Sequence, residues 1–298
     1  MVDNTHPDID AATGTATTGH EWDGIKELNT PLPKWWLYTF YATILFAIVY
    51  CVAYPAFPLP WGGHTMGLLD TSNRKAVDAD IRSSAVSNRP QYQQLASTDL
   101  DAIDQDPALR SFAVAGGRSA FAQNCAPCHG SGGQGSKGYP NLLDDVWLWG
   151  GSLEQIHQTI RFGVRNANAD SRQGVAMPAW GEAAKNPPQV LAAAQISAVA
   201  DYVLSLNGKS VDADSVKAGK AVFAENCVAC HGETAEGNQD MGAPPLASGV
   251  WLYGGDKATL VETITHGRAG QMPAWSERLD EPTVKMLALY VHQLGGGK

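Results

Sequence analysis

One long apolar stretch stands out in the pattern of polar and apolar residues along the chain. Residues 35–57 contain no charged side chain, and about 20 helical residues, each rising roughly 1.5 Å, suffice to cross a hydrocarbon core of roughly 30 Å. We therefore predict a transmembrane anchor over residues 35–57. Aromatic residues lie near both ends, as is typical of the two lipid–water interfaces: Trp35, Trp36, Tyr50, Tyr54, Phe57 and Trp61.

A buried helix of a soluble protein and a cleaved signal peptide are the alternative interpretations of this stretch. A signal peptide is disfavoured because the preceding 34 residues are acidic, the apolar stretch is long, and no clear small-x-small cleavage site follows. We favour an uncleaved signal anchor. Charge does not fix its orientation, because Lys26 and Lys34 precede it while Arg74 and Lys75 follow it.

The segments on either side of the anchor are polar. Residues 1–34 are rich in Thr and Asp and show no apolar periodicity, so we predict that the first twenty or so are disordered. Residues 58–111 begin with Pro58, Pro60 and a Gly-Gly pair and then become polar with short helix-like pieces. We interpret them as a juxtamembrane linker.

From residue 112 onward the sequence repeats itself. Its offset differs from block to block, so insertions and deletions lie in the loops. We predict two copies of one small, mainly helical domain, over residues 112–209 and 210–298. The repeated blocks are GRSAFAQNCAPCHG (117–130) and GKAVFAENCVACHG (219–232), VWLWGG (146–151) and VWLYGG (250–255), MPAW (177–180 and 272–275), and YVLSL (202–206) and YVHQL (290–294).

Each copy opens and closes with a helix-like stretch. Gly117 and Gly219 lie in the opening stretches, and a glycine at a helix crossing allows two helices to approach closely. We expect the opposing aromatic residue to come from a closing stretch, as Tyr202 or Tyr290.

Composition and charge exclude three broad classes of protein. Hydrophobic residues make up 44% and charged residues 17% of the chain, which is unlike a disordered chain or a coiled coil. The net charge is −9, and no run of Lys or Arg exceeds two residues. Nucleic-acid binding is therefore not expected.

Four of the five cysteines form two C-x-x-C-H motifs, the attachment signature of c-type haem. Two thiols one helical turn apart can reach the two vinyl groups of a porphyrin, and the adjacent histidine then faces the iron. A four-cysteine zinc site is disfavoured because 98 residues separate Cys128 from Cys227, and a thioredoxin-like pair needs a βαβ context. We predict two covalently bound haems, attached at Cys125, Cys128, Cys227 and Cys230, with His129 and His231 as axial ligands.

A haem used for electron transfer needs a sixth ligand, and His/Met ligation raises its potential. Met177 and Met272 are the candidates because each precedes Pro in a repeated block, 52 residues after Cys125 and 45 after Cys227. Which methionine serves which haem stays open. Weaker candidates for the sixth ligand are Met241, His157 and His266. Met286 and Met66 are expected only to fill the core.

Residues around the motifs suggest how the haems would be held. A loop carbonyl near Pro140 or Pro245 could accept the Nδ1 hydrogen of His129 or His231. Cys51 lies in the predicted span and is expected to act as a small apolar residue. Four tryptophans are expected to form walls of the haem pockets: Trp147, Trp180, Trp251 and Trp275.

Together these features resemble the membrane-anchored dihaem cytochrome c subunit, called CcoP or FixP or subunit III, of cbb3-type cytochrome c oxidases. The segment at 23–28, followed by Leu32-Pro33 and Trp35-Trp36, is similar to the family's pre-membrane motif. The single anchor, the Tyr54-Pro55 exit, the 65–74 linker and the two C-x-x-C-H domains follow in family order. One departure is the single anchor, since some members carry two.

The resemblance implies two class I cytochrome c domains on the periplasmic side of a bacterial inner membrane, with the N-terminus in the cytoplasm. It also implies electron transfer from a cytochrome c or the cytochrome bc1 complex, through a monohaem subunit, to a catalytic haem-copper subunit. The residues alone indicate a membrane-tethered dihaem electron carrier that does not itself reduce oxygen. The alternatives are a dihaem cytochrome serving a periplasmic dehydrogenase and a haem-based sensor.

Overall fold

The computed structural model describes residues 8–181 and 191–295, and these are mainly helical. The chain divides into two compact units between Ser87 and Asn88. The elements are β1 Thr17–Trp22, β2 Ile25–Leu28, α1 Lys34–Ala53, α2 Asn73–Ser97, α3 Leu100–Gln105, α4 Pro107–Asn124, α5 Ala126–His129, α6 Leu153–Phe162, α7 Ala193–Leu206, α8 Ala213–Asn226, α9 Val228–His231, α10 Lys257–His266 and α11 Glu281–His292.

Helix α1 is the predicted anchor. It has 20 residues, of which an 18-residue window has a mean hydropathy of 1.8, and none of the 20 is buried. Within the described ranges it is the one helix long and apolar enough to cross a membrane. It ends at Ala53 and Tyr54 is extended, so the helix stops four residues before the predicted end of the anchor at residue 57. Pro55 explains the end, because proline disfavours helical backbone at the residue before it.

A β-hairpin precedes the anchor, where disorder was predicted for about twenty residues. Strand β1 pairs antiparallel with β2, so residues 17–20 belong to a strand and that part of the prediction was wrong. Asp23 and Gly24 form the two-residue turn with φ of 48° and 84°. Such a turn needs positive φ at both positions, which Asp-Gly favours. Residues 1–7 lie outside the described residues.

The predicted linker is more ordered than expected, because α2, α3 and the start of α4 cover much of residues 58–111. Leu95, Leu100 and Ile103 are buried in the same core as α4. Asp106 caps α4 by accepting hydrogen bonds from the backbone N–H of Ala108 and Leu109, which is the usual role of an N-cap aspartate. The first core therefore begins well before residue 112.

The terminal helices of the two sequence copies are exchanged. Helix α11 packs on α4, and α7 packs on α8. An added Cβ on Gly117 would overlap the Met286 carbonyl, and one on Gly219 would overlap the Ala198 carbonyl. The predicted glycine crossings are confirmed, and Tyr202 and Tyr290 are the opposing aromatic residues as expected. Each comes from the other sequence copy: the ring centroids of Phe121 and Tyr290 are 5.3 Å apart, and those of Tyr202 and Phe223 are 5.2 Å apart.

Asp201 gives a physical reason for this exchange. Its carboxylate accepts hydrogen bonds from Ser215 Oγ at 2.7 Å and Lys257 Nζ at 2.8 Å. Were α7 to pack on α4 in the same way, this carboxylate would be buried without a partner, which is strongly unfavourable. The positions of the first core that correspond to Asp201, Ser215 and Lys257 are Leu289, Ala113 and Leu153, all apolar and buried.

Candidate haem sites

Each C-x-x-C-H motif forms a single helical turn after a longer helix. The first cysteine ends the preceding helix, and the remaining four residues form α5 or α9. In the first motif, the N–H of His129 donates to the Cys125 carbonyl at 2.9 Å, and the N–H of His231 does the same to Cys227 in the second. The turn thus places two thiols and an imidazole together.

The two motif histidines are held in one tautomer. His129 Nδ1 lies 3.0 Å from the Pro140 carbonyl, and His231 Nδ1 lies 3.0 Å from the Pro244 carbonyl. A carbonyl can only accept, so Nδ1 carries the hydrogen and Nε2 keeps a free lone pair. Burial lowers the pKa of both imidazoles, which favours this neutral form. Both rings are therefore in the tautomer that leaves Nε2 able to bind a metal.

The Pro140 prediction is confirmed, whereas Pro245 was wrong by one residue. In both copies the accepting proline stands two positions before a leucine whose N–H is bonded back into the loop, Leu142 to Gly133 and Leu246 to Ala235. Aligning these leucines identifies Pro244 as the counterpart of Pro140. The adjacent prolines hid this register in the sequence.

The two Met-Pro-Ala-Trp blocks lie against the opposite sequence copies. Met272 exchanges two backbone hydrogen bonds of 2.9 Å with Val164, the second residue after α6. Met177 exchanges bonds of 3.0 and 3.1 Å with Arg268, the second residue after α10. Trp275 accordingly packs on the first core and Trp180 belongs to the second. The blocks therefore follow the exchanged helices.

A continuous, largely apolar cavity joins the two motifs. Its lining includes His129 and His231 together with Met177 and Met272. Burial raises the pKa of the Cys125 and Cys227 thiols to about 11, so their free thiols add no charge. Trp147, Trp180 and Trp251 line the cavity as expected, whereas Trp275 packs in the first core beside it.

The cavity fits haem. Its lining is largely apolar, as a porphyrin requires. Two of its lining residues, Trp147 and Arg165, each have a buried donor atom, Trp147 Nε1 and Arg165 Nε, that has no hydrogen-bond partner within the described residues. Buried polar atoms are normally paired, and haem carboxylates are acceptors of the right kind. A bound c-type haem would supply a one-electron iron couple.

The weaker ligand candidates lie elsewhere. His157 is buried and its Nε2 lies 2.9 Å from Glu281 Oε1, so that ring nitrogen is engaged. Neither His266 nor Met241 is part of the cavity lining. Met286 is buried as expected, but Met66 is 53% exposed, so its assignment to the core was wrong. Cys51 is half-buried within α1.

Sequence reasoning missed the aromatic pair between the motifs. Trp149 lies over Gly242, in the loop after the second motif, and Tyr253 approaches Gly138, in the loop after the first. Arg165 and Arg268 are the two charged side chains among the described lining residues apart from the histidines. The sequence did contain a signal for these two residues, because Trp149 and Tyr253 occupy the same position in the repeated blocks VWLWGG and VWLYGG.

Comparison with known proteins gives consistent matches over nearly the whole chain. Residues 14–60 match the N-terminal domain of cytochrome oxidase-cbb3, FixP, and residues 112–203 and 214–291 match cytochrome c oxidase, cbb3-type, subunit III. The chain is 53% identical over 296 residues to the cbb3-type cytochrome c oxidase subunit CcoP of Azospirillum sp. (strain B510), covering 97% of this chain and 98% of that protein. It is 52% identical over 294 residues to subunit FixP of Azorhizobium caulinodans, covering 98% and 97%.

Proposed function

This chain belongs to the family of cbb3-type cytochrome c oxidase subunit III, and from this premise we propose that it passes electrons through two covalent c-type haems to an oxygen-reducing core. Its role is electron transfer as a subunit of a cbb3-type oxidase, with haem as cofactor and an apolar N-terminal helix as membrane anchor. The observation that carries the proposal is the pair of motif histidines, each with Nδ1 bonded to a proline carbonyl, on one apolar cavity.

The proposed attachment uses Cys125 and Cys128 for one haem and Cys227 and Cys230 for the other. Thioether bonds to these four sulfurs would fix each haem beside its histidine. His129 and His231 would each present Nε2 to an iron, and their bonds to Pro140 and Pro244 would prevent the rings from rotating away.

The proposed sixth ligands cross between the sequence copies. Met272 packs on the core that contains Cys125 and is paired with Val164, so it is assigned to the haem of His129. Met177 is paired with Arg268 and precedes Trp180 of the second core, so it is assigned to the haem of His231. The thioethers would favour reduced iron and so raise both potentials.

Variants with a single haem test attachment and crossing together. A C227A/C230A chain should retain haem-dependent peroxidase staining after denaturing electrophoresis, and removal of both motifs should abolish it. In the C227A/C230A background, M272A should remove the methionine–iron absorption band, whereas M177A, the matched control, should leave it. Loss of the band in M177A alone would overturn the crossing, and loss of staining from the wild-type chain would overturn covalent attachment.

The proposed partners are a catalytic haem-copper subunit, a monohaem cytochrome c subunit, and a cytochrome c or cytochrome bc1 complex as electron donor. The N-terminus is proposed to lie in the cytoplasm and both haem sites in the periplasm, because this type of haem attachment takes place outside the bacterial cytoplasmic membrane. A protease added to intact spheroplasts should cut the 112–298 region, and protection of that region would contradict this orientation.

A further inference from the structure

Arg165 lies in a segment that is longer in the first sequence copy than in the second. Met177 lies fourteen positions after Gly163, whereas Met272 lies five positions after Gly267. The first copy thus has nine additional residues between the end of α6 and its methionine block. Arg165 lies two positions after Gly163, and the residue two positions after Gly267 in the second copy is Ala269, so the second copy has no arginine at this point.

The backbone and side chain of Arg165 are held at the junction of the two haem sites. Its φ is 47°, a left-handed conformation that is uncommon for residues other than glycine. Nη1 donates to the Gly270 carbonyl at 3.0 Å, two residues before Met272. The guanidinium carbon lies 5.4 Å from the centroid of the Trp149 ring, which itself covers Gly242 near the second motif. Arg165 therefore contacts elements of both copies.

The positive charge of Arg165 has no acidic partner among the described residues. Its Nε is buried and unpaired, and burial lowers the pKa of the guanidinium. The neighbouring arginines differ from Arg165 in having a paired Nε: Arg268 Nε donates to Thr263 Oγ1 at 3.1 Å, and Arg172 Nε donates to Thr159 Oγ1 at 2.8 Å. Arg268 also contacts Glu262 at 3.2 Å. A half-buried cation with an unused N–H implies an anionic partner that enters the cavity.

We propose that Arg165 binds a carboxylate of a haem at the junction of the two sites and raises that haem's reduction potential. The inference rests on the proposed function, since it requires haem in the cavity. A guanidinium beside the haem opposes the additional positive charge of the oxidised iron, so it stabilises the reduced state. Because Arg165 touches Trp149 and Gly270, its charge acts where the two sites meet.

The test is a redox titration of the full chain with both haems bound, in detergent. R165Q should lower the potential of one haem so that its reduced-to-oxidised ratio, at a fixed solution potential, falls at least threefold. R165K keeps the charge and should recover more than half of this change. R172Q is the matched control, because it removes a second guanidinium near Trp149 that already has partners, and its effect should be smaller.

Haem content and titration on the same samples separate the possible failures. Two bound haems with potentials unchanged in R165Q, or changed equally in R165Q and R172Q, would overturn the role of Arg165 and leave the proposed function intact. An R165K variant as impaired as R165Q would also overturn it, because it would show a structural role for the guanidinium rather than an effect of charge. A wild-type chain with fewer than two haems would overturn the proposed function and this inference together.

Discussion

At the scale of single residues, two glycines allow the helix crossings that hold the cores together. Gly117 and Gly219 each face a backbone carbonyl of the opposing helix. A backbone carbonyl cannot move aside as the end of a flexible side chain can, so any Cβ at these positions must separate the helices. The crossing geometry therefore depends on the absence of one carbon atom.

Gly219→Ala should destabilise the second core. The added Cβ would overlap the Ala198 carbonyl and approach the Cβ of Tyr202, and overpacking of this kind typically costs roughly 1–3 kcal/mol. Denaturant unfolding of the detergent-solubilised chain, followed by the absorption of the second haem, would measure the loss. Gly132→Ala is the control, because its Cβ would meet only the end of the Gln134 side chain at 3.3 Å. Equal stability of the two variants would contradict the close crossing.

At the scale of secondary-structure elements, polar groups distinguish the two closing helices. Asp201 on α7 pairs with Lys257 on α10, and Glu281 on α11 contacts His157 on α6. Each pair joins one sequence copy to the other. The helices α7 and α11 share a repeated sequence, but their charged residues match different cores, and this difference specifies the exchanged packing.

Substitutions of Asp201 and Lys257 should separate the contribution of their ion pair to stability from the contribution of side-chain packing. Lys257→Met leaves the Asp201 side chain, only 7% exposed, with Ser215 as its remaining partner, and should cost about 1 kcal/mol because the Lys257 side chain is 48% exposed and partly screened. Combining D201L and K257L, which recreates the apolar pair of the first core, should restore wild-type stability or exceed it. Thermal unfolding would measure both changes.

Leu289→Asp is the matched counter-variant for this prediction. It places the charge of Asp201 at the corresponding position of α11, where Leu289 is fully buried and the position of Lys257 is occupied by Leu153. The cost should reach roughly 3–5 kcal/mol, as for an uncompensated buried charge. If L289D were tolerated as well as the wild type, charge matching would not specify the exchange.

The sequence predicts the parts of this fold that depend on local chemistry. The anchor follows from an uncharged run of residues, and the motif turns follow from C-x-x-C-H spacing. The helix exchange was missed because the repeated blocks are equally compatible with pairing inside one copy. Two complementary sets distinguish the two arrangements, Asp201 with Ser215 and Lys257, and Glu281 with His157. Their significance depends on knowing that the members of each set are close in space.

The position of Arg165 in the candidate site likewise could not be predicted from local sequence. An arginine in a polar segment is ordinarily a solvated residue, and no periodicity marks it as part of a cavity. Its placement depends on the bond from Nη1 to Gly270, more than a hundred positions away. Long-range contacts of this kind come from the packing of whole elements and are not encoded in local sequence.

At the scale of the whole molecule, the two sequence copies depend on each other. The first core contains α4 and α11, and the second contains α7 and α8. The region from Asn88 onward accordingly forms one compact unit rather than two. Two tandem copies in the sequence thus become two interlocked cores, and neither copy includes all the residues of its own core.

Truncation after Lys209 should therefore damage the first haem site although the entire first copy remains. The shortened chain keeps Cys125, Cys128, His129 and its own Met177, but lacks α11 and Met272, so α4 would lose the surface against which Phe121 is buried. We expect rapid proteolysis of this region and loss of the methionine–iron band. Co-expression of residues 210–298 as a separate chain should restore both protease resistance and the band, because the missing helix and ligand lie on that piece. A truncated chain that retained a protease-resistant core and the band without the second piece would show that each copy folds on its own and would contradict the interlocked arrangement.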